Sequence, residues 1–229
     1  VFKDTILGLA AGVRLTSNDM LHKGDWITVK SVDANGIVED MSLTTVKVRN
    51  FDNTIVTISP TTLVNGSFQN WIGMQKSGGR RVKRVVYFDF RSVRLVDETL
   101  KRNLLAKHFA TEDSFKLKES LQKAIDKDIQ EGKDIEDLKN PAALAPTNLQ
   151  LYRKFMEKYL RQRPEVNTDL TLMVRHMEAT QCGLPIEFYF FIKDKVWVNY
   201  EHILADIMEH AYALANEFGL KIYEQYPEQ

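Results

Sequence analysis

The sequence lacks three features that would each point to a class of protein. It has no run of about twenty apolar residues, the length that a membrane-spanning helix needs; its best candidate, Ile6–Val13, is short and flanked by charged side chains. Its single cysteine, Cys182, excludes an intrachain disulfide. Because 31 Lys and Arg balance 31 Asp and Glu, no global field recruits nucleic acid or an anionic surface. Any membrane role must therefore come from residues outside this chain.

Motifs for catalysis and cofactor binding are also missing. There is no Walker A loop, no GxGxxG and no HExxH, and Cys182 has no sequence-local histidine to activate it. His202, Asp206 and His210 follow at i, i+4 and i+8, a spacing that can hold a metal on one helical face. That face lies opposite apolar positions such as Ile207, so it is more simply a solvent or subunit face. We therefore expect no catalysis, no cofactor and no metal.

A helix of small residues opens the chain. Val1–Leu15 is helical in pattern from its first residue, which favours a further segment upstream. Gly8, Ala11 and Gly12 fall at i, i+3 and i+4 and form one smooth stripe. Glycine costs about 1 kcal/mol relative to alanine in a helix interior, so two glycines on one face indicate close approach of a neighbouring backbone. The alternative is a loop-prone terminus whose glycines have no partner.

Short strands and tight turns follow between Lys23 and Trp71. Asn35-Gly36 is a strong signal for a tight turn between two of them. The strands predicted here are Asp25–Val32, Gly36–Leu43, Thr44–Asn50, Thr54–Ser59 and Ser67–Trp71. About five strands in so short a segment predict a small β-barrel.

The remainder of the chain predicts a second, α+β domain after the linker Ser77-Gly78-Gly79. A helical hairpin, Thr111–Pro164, is inserted after the first strand and helix of this domain. It consists of two amphipathic helices joined by a Pro/Ala loop. The predicted elements are strand Arg80–Phe90, helix Asp97–Phe109, hairpin helices Ser114–Glu131 and Thr147–Arg161, strands Leu170–Ala179 and Ile186–Lys193 around a Cys182-Gly183 turn, helix Tyr200–Phe218 and strand Ile222–Tyr226. This order predicts an α+β sandwich interrupted by the hairpin.

Basic residues around the linker are the strongest charge feature. They are Lys76, Arg80, Arg81, Lys83, Arg84, Arg91 and Arg94. A small barrel beside a basic strand can bind RNA or single-stranded DNA. Aromatic residues are not clearly interleaved with this run, however, and the net charge is zero. A solvated strand edge, or the lining of a cavity that handles small ions, is the simpler interpretation.

The ordered set of motifs resembles the small-conductance mechanosensitive channel (MscS-like) family. The resemblance rests on Gly8–Val13, Lys23-Gly24-Asp25-Trp26-Ile27, Gly36-Ile37-Val38, Thr44–Val48, Thr54–Pro60 and Phe68-Gln69-Asn70-Trp71. Trp71–Met74, Ser77–Arg84, Val174-Arg175-His176, Gly183–Tyr189 and the segment from Trp197 to His210 look like the miniconductance subfamily. The resemblance covers nearly the whole chain.

This resemblance implies a fold and a function. The implied fold is a stub of the pore-lining helix (residues 1–22), a small Sm-like β-barrel domain (23–75) and a ferredoxin-like α/β vestibule domain (76–229) with the 111–164 insertion. The implied protein is a homo-oligomer, a heptamer, in the bacterial inner membrane, opened by membrane tension in hypoosmotic shock. Missing upstream helices would contact the lipid bilayer, and the gate would lie there.

The resemblance also gives roles to the two residue sets. Gly8, Ala11 and Gly12 would pack the pore helix and transmit motion to the β-ring. Lys76, Arg80, Arg81, Lys83 and Arg84 would line the vestibule and filter inorganic ions and small solutes, with no nucleic-acid partner. The alternative function, from another class, is a ring-forming small-barrel protein that binds RNA.

Overall fold

A computed structural model describes residues 2–116, 123, 126–127, 129–131 and 145–225. The chain divides into two compact units, Val1–Ser77 and Gly78–Gln229. Each unit contains an antiparallel sheet and helices, so the chain has the predicted mixture of α and β structure.

The first unit is a five-stranded antiparallel sheet with three helices. The helices are α1 (Phe2–Ser17), α2 (Pro60–Asn65) and α3 (Ile72–Lys76); the strands are β1 (Trp26–Val29), β2 (Ala34–Met41), β3 (Val46–Asn50), β4 (Ile55–Ile58) and β5 (Gln69–Asn70). The strand order is β4-β3-β2-β1-β5. In β3, Val46 and Val48 are buried while Lys47 and Arg49 are exposed, which is the alternation that the sequence predicts. The core joins Leu15 of α1 and Leu63 of α2 to this buried face of the sheet.

The predicted Asn35-Gly36 turn is wrong. Both residues lie inside β2, and the chain reverses earlier, through a 3₁₀ turn at Lys30–Val32 and a left-handed Asp33 (φ 52°). A Cβ on Gly36 would lie 1.9 Å from the carbonyl oxygen of Arg49 on β3. Glycine is required here for close approach between strands, a need that gives the same local signal as a turn.

In the described part of the second unit, three helices pack on one face of a three-stranded antiparallel sheet. Its elements are β6 (Arg80–Phe88), α4 (Glu98–Ala106), α5 (Asn148–Gln162), β7 (Met173–His176), β8 (Leu184–Ile192) and α6 (Trp197–Glu217), and the strand order is β6-β8-β7. The core contains Val82, Val86, Phe88, Val174, Ile186, Phe188, Phe190 and Ile192 from the sheet, together with Leu104, Tyr152, Met156, Leu204 and Ile207 from the helices.

Two predicted strands of this unit differ from the structure. The strand from Arg80 ends at Phe88, and Phe90, the last residue of the predicted strand, is 49% exposed in a 3₁₀ turn. The predicted strand at Ile222 makes a single bridge to Phe88, and its last predicted residue, Tyr226, lies outside the described residues. Of the predicted hairpin, the second helix is α5, begun by Thr147, whose hydroxyl accepts from the Gln150 amide. Most of the first predicted helix lies outside the described residues.

A buried asparagine, Asn148, joins three elements of the second unit. Its Nδ2 donates to the carbonyl oxygens of Ser92 (2.9 Å) and Phe218 (3.1 Å), and its Oδ1 accepts from the amides of Arg94 (3.0 Å) and Leu149 (2.9 Å). The side chain is fully buried, so these bonds replace those it would make to water. It therefore fixes the start of α5 against the ends of two other segments.

Candidate functional site

The predicted small-residue stripe of α1 divides into one tight position and one open position. A Cβ on Gly12 would lie 2.2 Å from the carbonyl oxygen of Leu43, in the turn between β2 and β3. A Cβ on Gly8 would meet nothing within 4 Å. Ala11 is buried beside them, at 7% exposure, and Leu15 is fully buried. Within the first unit, α1 is therefore in close backbone contact at Gly12 and not at Gly8.

The opposite side of α1 is apolar and exposed. Ile6, Leu9 and Val13 are 64%, 46% and 49% exposed. At 100° per residue these three positions lie together, across the helix from Leu15. A helix that is apolar on both sides, with one side uncovered, presents a surface suited to a further partner.

The connection from α1 to β1 is held by a buried carboxylate, Asp25, whose role was not predicted from the sequence. Its Oδ2 accepts from the His22 amide (3.0 Å) and from Nδ2 of Asn70 (2.7 Å), which also donates to the carbonyl oxygen of Met20 (3.3 Å). Asp25 is 7% exposed. These bonds tie the segment that follows α1 to β5. In the sequence, only the position of this acid, next to Gly24 at the start of a strand, pointed to such a role. The role could not be predicted because its partner, Asn70, lies far away in the sequence.

The predicted basic set is divided between the two units and, within β6, between the two faces of the sheet. Lys76 ends α3 in the first unit, whereas Arg80, Arg81, Lys83 and Arg84 lie in β6 of the second. Because side chains alternate along a strand, Arg81 and Lys83 share one face of the sheet, and Arg80 and Arg84 lie on the other.

Arg80 and Tyr200 pack together on the helix-covered side. The Arg80 guanidinium carbon lies 4.3 Å from the centroid of the Tyr200 ring, and the Tyr200 hydroxyl donates to the carbonyl oxygen of Arg81 at 3.0 Å. Burial raises the pKa of Tyr200 above its ordinary value. Arg80 thus fastens the start of α6 to β6, and its cation is only partly available to solvent.

A buried carboxylate, Glu187, lies on the other face between two cations. Its Oε2 accepts from Nε of Arg175 at 2.6 Å, and its Oε1 lies 3.6 Å from Nζ of Lys83. Glu187 is fully buried, whereas Arg175 and Lys83 are about half exposed. The hydrogen bond from Arg175 holds the pKa of the Glu187 carboxyl below its ordinary value. This cluster was not predicted from the sequence. The feature that could have indicated it is Glu187 itself, the only acid within the apolar strand β8.

The alternative metal face on α6 has a different geometry. His202, Asp206 and His210 are exposed, and Nδ1 of His210 lies 2.8 Å from the backbone carbonyl oxygen of Asp206. The His210 ring also stacks on Tyr159, with 5.8 Å between centroids. Within the described ranges, no three His, Cys, Asp or Glu side chains are grouped as metal ligands.

Sequence comparison matches the first unit to a known domain. The family model described as "Mechanosensitive ion channel, beta-domain" matches residues 4–73. The chain is similar to the small-conductance mechanosensitive channel MscMJ of Methanocaldococcus jannaschii, with 32% identity over 68 residues, which is 30% of this chain and 19% of that protein. Over residues 4–73 the chain is thus similar to the β-domain of mechanosensitive ion channels, in agreement with the resemblance to the small-conductance mechanosensitive channel (MscS-like) family that the sequence motifs predicted.

Structural comparison extends the likeness of fold along nearly the whole chain. Arabidopsis thaliana MSL1 has a TM-score of 0.60 at 10% identity, over 96% of this chain and 59% of that chain. Helicobacter pylori MscS in its closed state has a TM-score of 0.58 at 14% identity, over 99% of this chain and 65% of that chain. The chain thus spans less than two thirds of these proteins. None of the helices in the described ranges combines the length and apolar character needed to cross a bilayer.

Proposed function

We propose that this chain is the β-domain and vestibule region of an ion channel that opens when membrane tension rises in hypoosmotic shock. The observation that carries the proposal is the two-sided helix α1. Gly12 packs it against the turn at Leu43, while Ile6, Leu9 and Val13 remain exposed on the opposite side. Such a helix transmits movement from an upstream membrane segment into the β-domain.

The domain roles follow the family likeness. Residues 1–22 are the end of the pore-lining helix, 23–75 are a Sm-like barrel, and 76–229 are a ferredoxin-like vestibule domain with the 111–164 insertion. The antiparallel five-stranded sheet supports the barrel assignment. Its two edge strands, β4 and β5, are the ones that would meet where the barrel closes. The bridge between Ile222 and Phe88 supports the ferredoxin-like assignment of this domain. It places a short fourth segment next to β6, at the edge of the three-stranded sheet.

The assembly in this proposal is a homo-oligomer, a heptamer, in the bacterial inner membrane. Ile6, Leu9 and Val13 of one copy would pack against α1 of its neighbours, which removes their apolar surface from water. Upstream helices would contact the lipid bilayer. The miniconductance subfamily is the part of the family whose motifs this chain resembles most.

The basic residues have a narrower role in this proposal than the sequence alone suggested. Lys76, Arg81, Lys83 and Arg84 are exposed and are the ones able to act on passing ions and small solutes. Arg80 is stacked on Tyr200, so its first role is to position α6.

The test uses the full-length protein, with its upstream residues, expressed in bacteria that lack tension-gated channels. We expect survival of osmotic downshock, and patch recordings with a conductance that opens under suction. Mass measurement of the detergent-solubilised protein should give seven copies. Absence of tension-gated current, with normal membrane insertion, would refute the channel proposal. A different copy number would refute only the heptamer.

A further inference from the structure

Among the described residues, the helices of the second unit pack on one face of its three-stranded sheet and leave the other face uncovered. Side chains paired across antiparallel strands share a face. On this face Arg81 of β6 lies opposite Phe191 of β8, and Lys83 lies opposite Tyr189. Arg175 of β7 lies opposite Glu187 in the same way. The register thus places aromatic and basic side chains side by side on this uncovered face.

The charge on this face is unequal. The three strands contribute three cations, Arg81, Lys83 and Arg175, and one carboxylate, Glu187. The carboxylate is buried and bonded to Arg175, with its second oxygen 3.6 Å from Lys83. Lys83 and Arg175 still expose about half of their side chains, and Arg81 is exposed. The face therefore attracts anions, while its buried carboxylate fixes two of the cations in place.

The aromatic rings of this face are half-buried but not enclosed. Tyr189 and Phe191 pack edge to face with 5.9 Å between centroids, which holds both rings in fixed orientations. Tyr87 extends the set along β6 and is 38% exposed. Fixed aromatic rings on an open sheet, next to basic side chains, are how several sheet proteins stack bases and hold phosphates.

We infer that this face binds a small aromatic anion of the nucleotide class, with its base stacked on Tyr189 or Phe191 and its phosphate on Arg81 and Lys83. Neighbouring strands are separated by about 4.8 Å, so a cation of β6 lies one strand away from a ring of β8. That separation suits a molecule whose flat ring and phosphate are joined by one sugar. A polymer is disfavoured because three cations and a central carboxylate give too little charge to hold a phosphate chain.

The binding test is calorimetric titration of the full-length protein with adenosine 5′-monophosphate, adenosine and inorganic phosphate. We expect the monophosphate to bind more tightly than either fragment, because it alone engages both the rings and the cations. Binding should weaken as salt concentration rises. Equal affinity for the monophosphate and phosphate would overturn the inference, since the rings would then contribute nothing.

Variants test the named residues. Arg81→Gln and Tyr189→Leu should each weaken monophosphate binding by about fivefold or more. Matched controls are Arg161→Gln on α5 and Tyr212→Leu on α6, which change the same residue types at exposed helical positions and should bind as the unchanged protein does. Arg81 is exposed, so its variant stays informative if Tyr189→Leu fails to fold.

Two results would reject this site. One is binding that the variants and controls reduce equally. The other is binding of single-stranded RNA without binding of the monophosphate, which would indicate a polymer surface. Neither result depends on channel activity, so the inference and the proposed function can fail separately.

Discussion

Two glycines in α1 make a matched pair for testing how this helix is packed. Gly8→Ala and Gly12→Ala introduce the same methyl group into the same helix, one turn apart, and both replace the residue with the poorest helix propensity after proline. At Gly8 the methyl group enters open space. At Gly12 it meets the Leu43 backbone at 2.2 Å, where ordinary contact is 3.4–4 Å.

The two substitutions should change the free energy of unfolding in opposite directions. Replacing a helical glycine with alanine stabilises by about 1 kcal/mol, and this gain applies to both variants. Overpacking costs about 1–3 kcal/mol, and the neighbour at Gly12 is backbone, which gives way less easily than a flexible side chain. We therefore expect Gly8→Ala to raise the free energy of unfolding by about 1 kcal/mol. Gly12→Ala should lower it by about 0–2 kcal/mol, a separation of about 1–3 kcal/mol between the two variants.

Denaturant unfolding of the two variants, read from the tryptophans of the first unit, measures this separation. For the tension-gated channel proposed above, Gly12→Ala should shift the tension threshold in patch recordings of the full-length protein, and Gly8→Ala should leave it unchanged. Equal unfolding free energies would refute the packing argument. Equal thresholds with unequal stabilities would refute only the coupling of α1 to gating.

Three further substitutions test other parts of the structure. Asn148→Asp should destabilise by about 2–4 kcal/mol, because a carboxylate oxygen would face carbonyl oxygens such as that of Phe218; unchanged thermal unfolding would contradict this. Glu187→Gln should cost about 1–2 kcal/mol near pH 7. Since the folded pKa of Glu187 lies below 4.5, the wild-type advantage should shrink as pH falls below that value, and a pH-independent gap would disprove the ionised pair. Gly36→Ala should cost about 1–3 kcal/mol by chemical denaturation, whereas a turn glycine outside a strand would tolerate alanine better.

Local patterns predicted the elements whose causes are local. The alternation of Val46 and Val48 predicted β3, and the apolar spacing of α5 predicted a helix, which begins at Asn148 after its N-cap Thr147. Asn35-Gly36 misled because a glycine signal is the same for a turn and for a close strand crossing, and only the partner strand decides between them. The extension of β6 to Phe90 failed because the chain leaves the sheet at Asp89, whose side chain caps the next turn.

The candidate sites divide in the same way. The sequence singled out Gly8 and Gly12 as equals, and it grouped Lys76 with the basic residues of β6. In the structure, Gly12 packs closely against the turn at Leu43, whereas Gly8 does not. Strand alternation places Arg81 and Lys83 on the face of the sheet opposite to Arg80. The role of Asp25 could not be predicted from local sequence because its partner, Asn70, is 45 positions away.

By itself the sequence determined the mixture of α and β structure, the resemblance to a family through its ordered motifs, and the absence of a long apolar span, since these depend on residue order and composition. The tertiary structure alone decided which glycine is tight, which cations share a face and which carboxylate is buried between them. Those properties depend on backbone and side-chain contacts between residues far apart in the chain, and no local pattern records such contacts.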